Sequence, residues 1–325
     1  MIKIVSPSNF SSFDTQAVFR FTSDVTADAG AAVEALLEDA DTGGVIAARR
    51  LRLDSSAAAV FDVAPILRRA MELRPAAGAT GLAAADDAMF RVRMRVGTTV
   101  SDAVTLLCSQ PVTNSLACLT AMPVRRTIRR GDCDRLLFYA MADFAVDIEA
   151  GRDNGTADSA VYEWSGDGGL VVLRLRAADF GGDVRRLTVR TGSRVVAEYE
   201  VEEPTAGSMR LAWRTSLGSV EHYTFPVVVR REVVSGNRTV RLADGTCTLS
   251  GDAHAEIVLR SHREPSAVVD ALAGIVASPQ VWLTDETTGD YLSVTVETRQ
   301  AATRSFGEPS NVELTVRPSQ NGVML

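Results

Sequence analysis

Apolar and charged residues alternate along Met89-Phe90-Arg91-Val92-Arg93-Met94-Arg95-Val96, and this period of two constrains the fold more than any other feature. Successive side chains of a strand point to opposite faces, so Phe90, Val92, Met94 and Val96 share a buried face while the three arginines face out. The pattern recurs at Met209, Leu211 and Trp213, which alternate with Arg210, Ala212 and Arg214. Ser216-Leu217-Gly218-Ser219 breaks that run, and Gly218 can adopt the positive φ of a tight turn. Val220 to Phe225 resumes as a second strand with Glu221, Tyr223 and Phe225 on one face, so 209–225 reads as a β-hairpin ending at Pro226.

Such segments fill the chain. Residues 16–22 place Phe19 and Phe21 together, and 33–38 and 45–53 flank the turn Asp41-Thr42-Gly43-Gly44. Phe61 and Val63 form a short strand leading into Pro65, after which Ile66, Leu67, Ala70 and Met71 recur at helical spacing for about two turns. Residues 74–87, rich in Ala, Gly and Pro, predict a mobile loop, and 109–123 a linker. Between them lie the 89–96 strand and a strand at 100–108. Further strands are expected at 135–140, 144–148, 161–164, 170–176, 187–189 and 195–201, with the Trp213 hairpin closing this middle group. Then come a hairpin around Asp244-Gly245, a strand at 254–260, and strands at 281–284, 291–298 and 312–316. Val268, Val269, Leu272, Ile275 and Val276 make one apolar stripe over 266–277, the best helix, which Pro279 stops.

A chain of 325 residues exceeds one hydrophobic core. Strands every 8 to 12 residues with glycine turns between them argue a mainly β protein of two or three consecutive antiparallel sandwich-like domains with a few short helices. The expected divisions are a β-sandwich over 1–112, a second over 113–229, and a β-rich unit with one helix over 230–325.

Composition removes several function classes. A net charge of −7 offers no basic face for nucleic acid. Lys3 is the only lysine, which excludes a P-loop and argues against a catalytic lysine. The opening MIKIVSPSNFSSF has no apolar core long enough for a signal peptide and no stretch approaches a membrane span, so synthesis in the bacterial cytoplasm is expected. Cys108, Cys118, Cys133 and Cys247 lack CxxC spacing and read as free thiols.

The search for chemistry returns no catalytic, cofactor-binding or metal-ligating residues. His222, His254 and His262 have no second His or Cys at ligand spacing, and His222 reads as a packed or exposed strand histidine. Gly166-Asp167-Gly168-Gly169 precedes a strand, so it is a turn rather than a phosphate loop. The acids Asp39/Asp41, Asp153/Asp158 and Asp285/Glu286/Asp290 lack EF-hand spacing, and turns favour aspartate in any case. Arg130-Gly131-Asp132 matches a cell-attachment tripeptide too short to count. Trp164, Trp213 and Trp282 would stack on sugars only if exposed, and the apolar neighbours of Trp213 and Trp282 argue for core positions.

Leu211-Ala212-Trp213, then Leu217-Gly218, then Glu221-His222-Tyr223-Thr224-Phe225 resembles a hairpin of tail-associated structural proteins from phages and prophages of gut anaerobes. Phe61-Asp62-Val63-Ala64-Pro65-Ile66-Leu67 is similar to an early element of that family. Ser278-Pro279-Gln280-Val281-Trp282-Leu283 and the strand at 312–316 are similar to its ending. The family's asparagine between Trp and Leu-Gly is replaced here by Arg214-Thr215-Ser216. The resemblance implies a non-enzymatic structural or adaptor role in a virion or tail-like assembly, with other protein subunits, possibly further copies of itself, as partners and no cofactor. The alternatives are a bacterial surface or carbohydrate-binding β-sandwich, and a hydrolase on a β scaffold with two carboxylates in a cleft.

Overall fold

The computed structural model describes residues 2–24, 30–76, 78–110, 112–166, 168–242, 245–285, 290–300 and 309–319. It is mainly β, built from predominantly antiparallel sheets, two of them with one parallel pairing, packed as sandwich-like layers. The first third runs β1 (Ile2–Val5), β2 (Ser11–Ser12), β3 (Val18–Ser23), β4 (Ala32–Asp39), β5 (Val45–Arg52), β6 (Ala58–Asp62), α1 (Ala64–Ala70), β7 (Gly81–Ala84), β8 (Met89–Val96), β9 (Thr99–Val100) and β10 (Val104–Leu107). One sheet has the order β1-β3-β6 and its partner β2-β10-β8-β4-β5, with β9 folded back on β8. Phe19, Phe21 and Phe61 from the first pack with Leu37, Val92, Met94 and Leu106 from the second in a shared core. The alternation in β8 is realised as expected, with Val92, Met94 and Val96 buried and the arginines outside. Pro65 opens α1, which buries Ala64 and Leu67.

The next stretch comprises β11 (Leu116–Leu119), β12 (Arg125–Arg129), β13 (Cys133–Ala140), β14 (Phe144–Arg152), β15 (Ala157–Trp164), β16 (Gly169–Arg176), β17 (Val184–Thr191) and β18 (Arg194–Glu202). They form a four-stranded sheet, β11-β13-β16-β7, and a five-stranded sheet, β12-β18-β17-β14-β15. Two expectations are corrected here. The 74–87 segment is not simply a loop: Gly81–Ala84 is β7, antiparallel to β16 with Leu82 opposite Leu173. The 109–123 segment is not simply a linker, because Leu116–Leu119 pairs with β13.

The four-stranded sheet is covered on both faces. Leu136, Phe138, Leu173 and Leu175 pack into a core with Ile148, Leu187 and Tyr199 of the five-stranded sheet. Leu137, Tyr139, Leu170 and Val172 join the core of the first third. That double burial explains the unbroken apolar runs of β13 and β16, where alternation disappears.

The last stretch comprises β19 (Met209–Arg214), β20 (Val220–Phe225), β21 (Val227–Leu242), β22 (Gly245–Arg260), α2 (Ser266–Ala277), β23 (Val281–Thr284), β24 (Tyr291–Val296) and β25 (Glu313–Pro318). All pair antiparallel in the order β20-β19-β23-β24-β25-β22-β21. The Trp213 hairpin therefore does not close the middle group. It pairs through β19 with β23, setting Ala212 opposite Trp282. The apolar stripe of α2 buries Val268, Val269, Leu272 and Ile275 in a core with Leu211, Trp213, Leu259 and Leu314. The turn residue Asp244, the 286–289 segment and Asp167 lie outside the described residues.

Candidate functional site

Charged side chains are buried where β12, β13 and β18 meet β19, β20 and β24. A strand places every second residue on one face, so Glu221 sits among Tyr223 and Phe225 although it is acidic. Its partner is Arg126 of β12, whose Nη1 lies 3.5 Å from Glu221 and 4.0 Å from Asp134. Ser219 donates a second hydrogen bond to Glu221 at 2.9 Å, and the backbone N–H of Ala121 a third at 3.0 Å. Arg210 reaches from β19 to Asp132 at 3.1 Å and donates to the carbonyl of Cys133 at 2.9 Å. His222 lies between Asp134, 2.9 Å from its Nδ1, and the Tyr291 hydroxyl, 2.9 Å from its Nε2.

Electrostatics follows from that enclosure. Burial pushes the Glu221 carboxyl up, and Arg126 only partly offsets it. Burial also raises Asp134, but the hydrogen bond to His222 and the charges of Arg210 and Arg126 outweigh it and hold that carboxyl well below the usual range. Burial pushes His222 below its ordinary value, so a neutral imidazole bridges the carboxylate and the phenol. Removing charges from water costs several kcal/mol per ion unless they pair, and here each has a partner. The cluster joins sheets, and it has the properties of a structural seam.

A cleft of about 760 Å³ opens beside the seam, between the outer face of the five-stranded sheet and the start of α2. Its rim arginines are engaged with acids. Arg125 and Arg186 each lie 3.6 Å from Glu198, Arg152 holds Asp158 at 2.6 Å and also Asp183, and Arg185 holds Asp153 at 2.5 Å. Glu264 on the opposite wall accepts the Tyr223 hydroxyl at 2.7 Å. Self-paired charges give the cleft no preference for an anion or a cation.

The other residues considered from sequence are accounted for locally. Asp39 accepts the backbone N–H groups of Thr42 and Asp41 at 2.8 and 2.9 Å, and these hydrogen bonds hold its pKa down against the opposing effect of burial. Asp153 and Asp158 bind the arginines just named. Asp132 of the Arg-Gly-Asp tripeptide is buried against Arg210, and Arg130 is bound to Glu203 at 2.7 Å. Trp213 and Trp282 are buried, and Trp164 is half-buried against the middle core. Burial pushes the Cys108 thiol up to about 11 and that of Cys118 up to about 12, away from reactive thiolates. Among the described residues no group of His, Cys, Asp and Glu is arranged to hold a metal. The signal for the seam was Glu221 on an aromatic face; its partners on β12 and β13 depend on topology.

The other distinctive feature is the β21–β22 ribbon. These are the longest strands described, 16 residues each. β22 pairs with β25 only over Ile257–Arg260, so from Gly245 to Glu256 it pairs with β21 alone among the described residues. Among the described residues β21 has no strand on its outer side. Val227, Val229 and Val233 on it are 45%, 42% and 53% exposed.

No protein-family model and no curated protein matches the chain. It is similar to Escherichia coli alpha-2-macroglobulin in two solved structures, the native conformation and the trypsin-activated form. Identities are 8% and 9%, with a TM-score of 0.21 in both. The matches cover 80% and 91% of this chain but 21% and 25% of the other, so the chain spans a quarter or less of that protein. A likeness at that level establishes neither a shared fold nor a shared activity.

Proposed function

We propose that this chain is a non-enzymatic structural and interaction protein, a component or adaptor of a phage- or prophage-derived tail or a related assembly, working through protein–protein contacts. The observation that supports the reading most is the ribbon. Among the described residues the outer edge of β21 has no partner strand, and such an edge is a template for pairing with another chain. An isolated two-stranded hairpin is marginally stable in water, so a ribbon of this length gains from a further strand on either side. The motif resemblance around Trp213 points the same way. The sugar-binding alternative asks for exposed aromatics in a groove, whereas Trp213 and Trp282 lie in cores.

The test is to co-express the chain with the products of its neighbouring genes and measure complexes by size exclusion with light scattering. The reading expects a defined complex that is lost when the ribbon is shortened by joining Val233 to its opposite residue Ala255 through a two-residue turn. A chain that joins none of them, at home among metabolic genes, contradicts it.

A further inference from the structure

We infer that the outer edge of β21 takes an extended, acidic segment of another protein as an added strand, with two carboxylates of that segment set against Arg231 and Arg241. This rests on the reading of the chain as an assembly subunit and names the chemistry of its partner.

Charge sets the partner's sign. Among the side chains described on β21, Arg230 and Glu232 satisfy each other at 3.1 Å. Arg231 and Arg241 are exposed, and neither has an ion pair among the described residues. The rim of the cleft differs, because Arg125, Arg152, Arg185 and Arg186 there are each held by acids. β21 thus presents two uncompensated cations in a chain whose net charge is −7. Opposite charges on neighbouring strands support a ladder, and like charges directly opposite destabilise it. A second copy's β21 brings the same arginines to the ladder, so the complementary occupant is a different, acidic strand.

The register shows where that strand packs. Val228 lies opposite Leu259, and a bulge at Val229 then sets Arg231 opposite Ile257 and Val233 opposite Ala255. Paired residues share a face, and Leu259 and Ile257 are buried in the core that α2 joins. Val228 packs against that core, whereas Val233 is exposed. The apolar face of the sheet therefore runs past β22 onto β21, and among the described residues no strand continues it. A segment alternating β-branched residues with carboxylates lays its apolar side chains beside Val228 and Val233 and an acid beside Arg231. The two arginines lie ten residues apart, roughly 34 Å at about 3.4 Å per residue, so a segment of about a dozen residues reaches both.

The experiment is fluorescence anisotropy on the full chain with two labelled probes. One is a peptide of alternating valine and threonine carrying two glutamates at the spacing of Arg231 and Arg241; the other has lysines in their place. Wild type should bind the glutamate probe about fivefold more tightly than the lysine probe, and rising salt should narrow the gap. Arg231→Glu/Arg241→Glu should reverse the order. Both positions are exposed, and matching thermal unfolding of the two chains controls for folding. No binding of either probe, or a preference unmoved by the reversal, overturns the inference. Self-association of wild type that protects the β21 amides gives the edge to a second copy and overturns it too. Neighbouring-gene products that still join through the ribbon when both arginines are reversed overturn the acidic partner and leave the assembly reading standing. A chain that binds the glutamate probe in the expected order but joins none of those products supports the edge chemistry and removes the assembly reading.

Discussion

The Nδ1 of His222 on β20 lies 2.9 Å from the carboxylate of Asp134 on β13, tying the seven-stranded sheet to the doubly covered central sheet. Arg210, Arg135 and Tyr291 face the same imidazole. Because burial depresses His222, the native state binds fewer protons than the unfolded chain once pH falls below the ordinary histidine value of 6.5. Stability is then lost as pH drops from that point towards the folded value. Asp134, held low, adds a further loss below its ordinary 3.8. Glu221 acts oppositely, since its raised pKa costs stability as a carboxylate above 4.5 and relieves that cost in acid.

Urea unfolding at pH 7.5 and pH 5.5 checks this. Wild type should be less stable at the lower pH, and His222→Gln should flatten the difference while lowering stability at both. Equal slopes in the two proteins would show that His222 does not titrate with folding.

Arg126 holds Glu221 and Asp134 in a place sealed from water. Arg126→Met leaves two buried acids without their shared cation and should cost about 3–5 kcal/mol. Arg126→Met/Glu221→Met removes a charge of each sign and should recover a large part of that loss. Denaturant midpoints for the two single variants and the double complete a cycle, and strictly additive losses would mean the pair is uncoupled.

Gly218 has φ +85 in the turn between β19 and β20. A Cβ there would overlap the carbonyl oxygen of Cys108, on the segment following β10. Gly218→Ala therefore meets an unfavourable backbone conformation and a backbone clash together, and should cost on the order of 3 kcal/mol or more. A drop in the thermal midpoint reads it out; an unchanged midpoint would mean the turn does not seat against Cys108.

How far the sequence speaks depends on how each element is buried. β8 has one wet face, so its arginines and apolar residues alternate and it reads directly. α2 reads equally well because one stripe is buried and Pro279 stops it. β7 does not: Gly81-Leu82-Ala83-Ala84 has little β propensity, and what makes it a strand is β16, remote in sequence. β11 is hidden in the same way by its dependence on β13. The Trp213 hairpin was legible as a hairpin, while its sheet was not, because pairing with β23 leaves no local trace. Glu221 shares its strand face with Tyr223 and Phe225, the one local trace of the seam; Arg126, Asp134 and His222 converge there only once three sheets are assembled. The ribbon's length is likewise set by pairing across two bulges rather than by a pattern in either strand.

Amide hydrogen exchange along β21, followed as the products of the neighbouring genes are added, tests most directly whether the ribbon is where subunits join. The outward amides of 227–242 should exchange rapidly in the chain alone and become at least roughly tenfold more protected in the complex, with β19 and β23 unchanged. Ribbon amides that exchange at the same rate with and without those partners, while protection appears on another edge, would contradict the account.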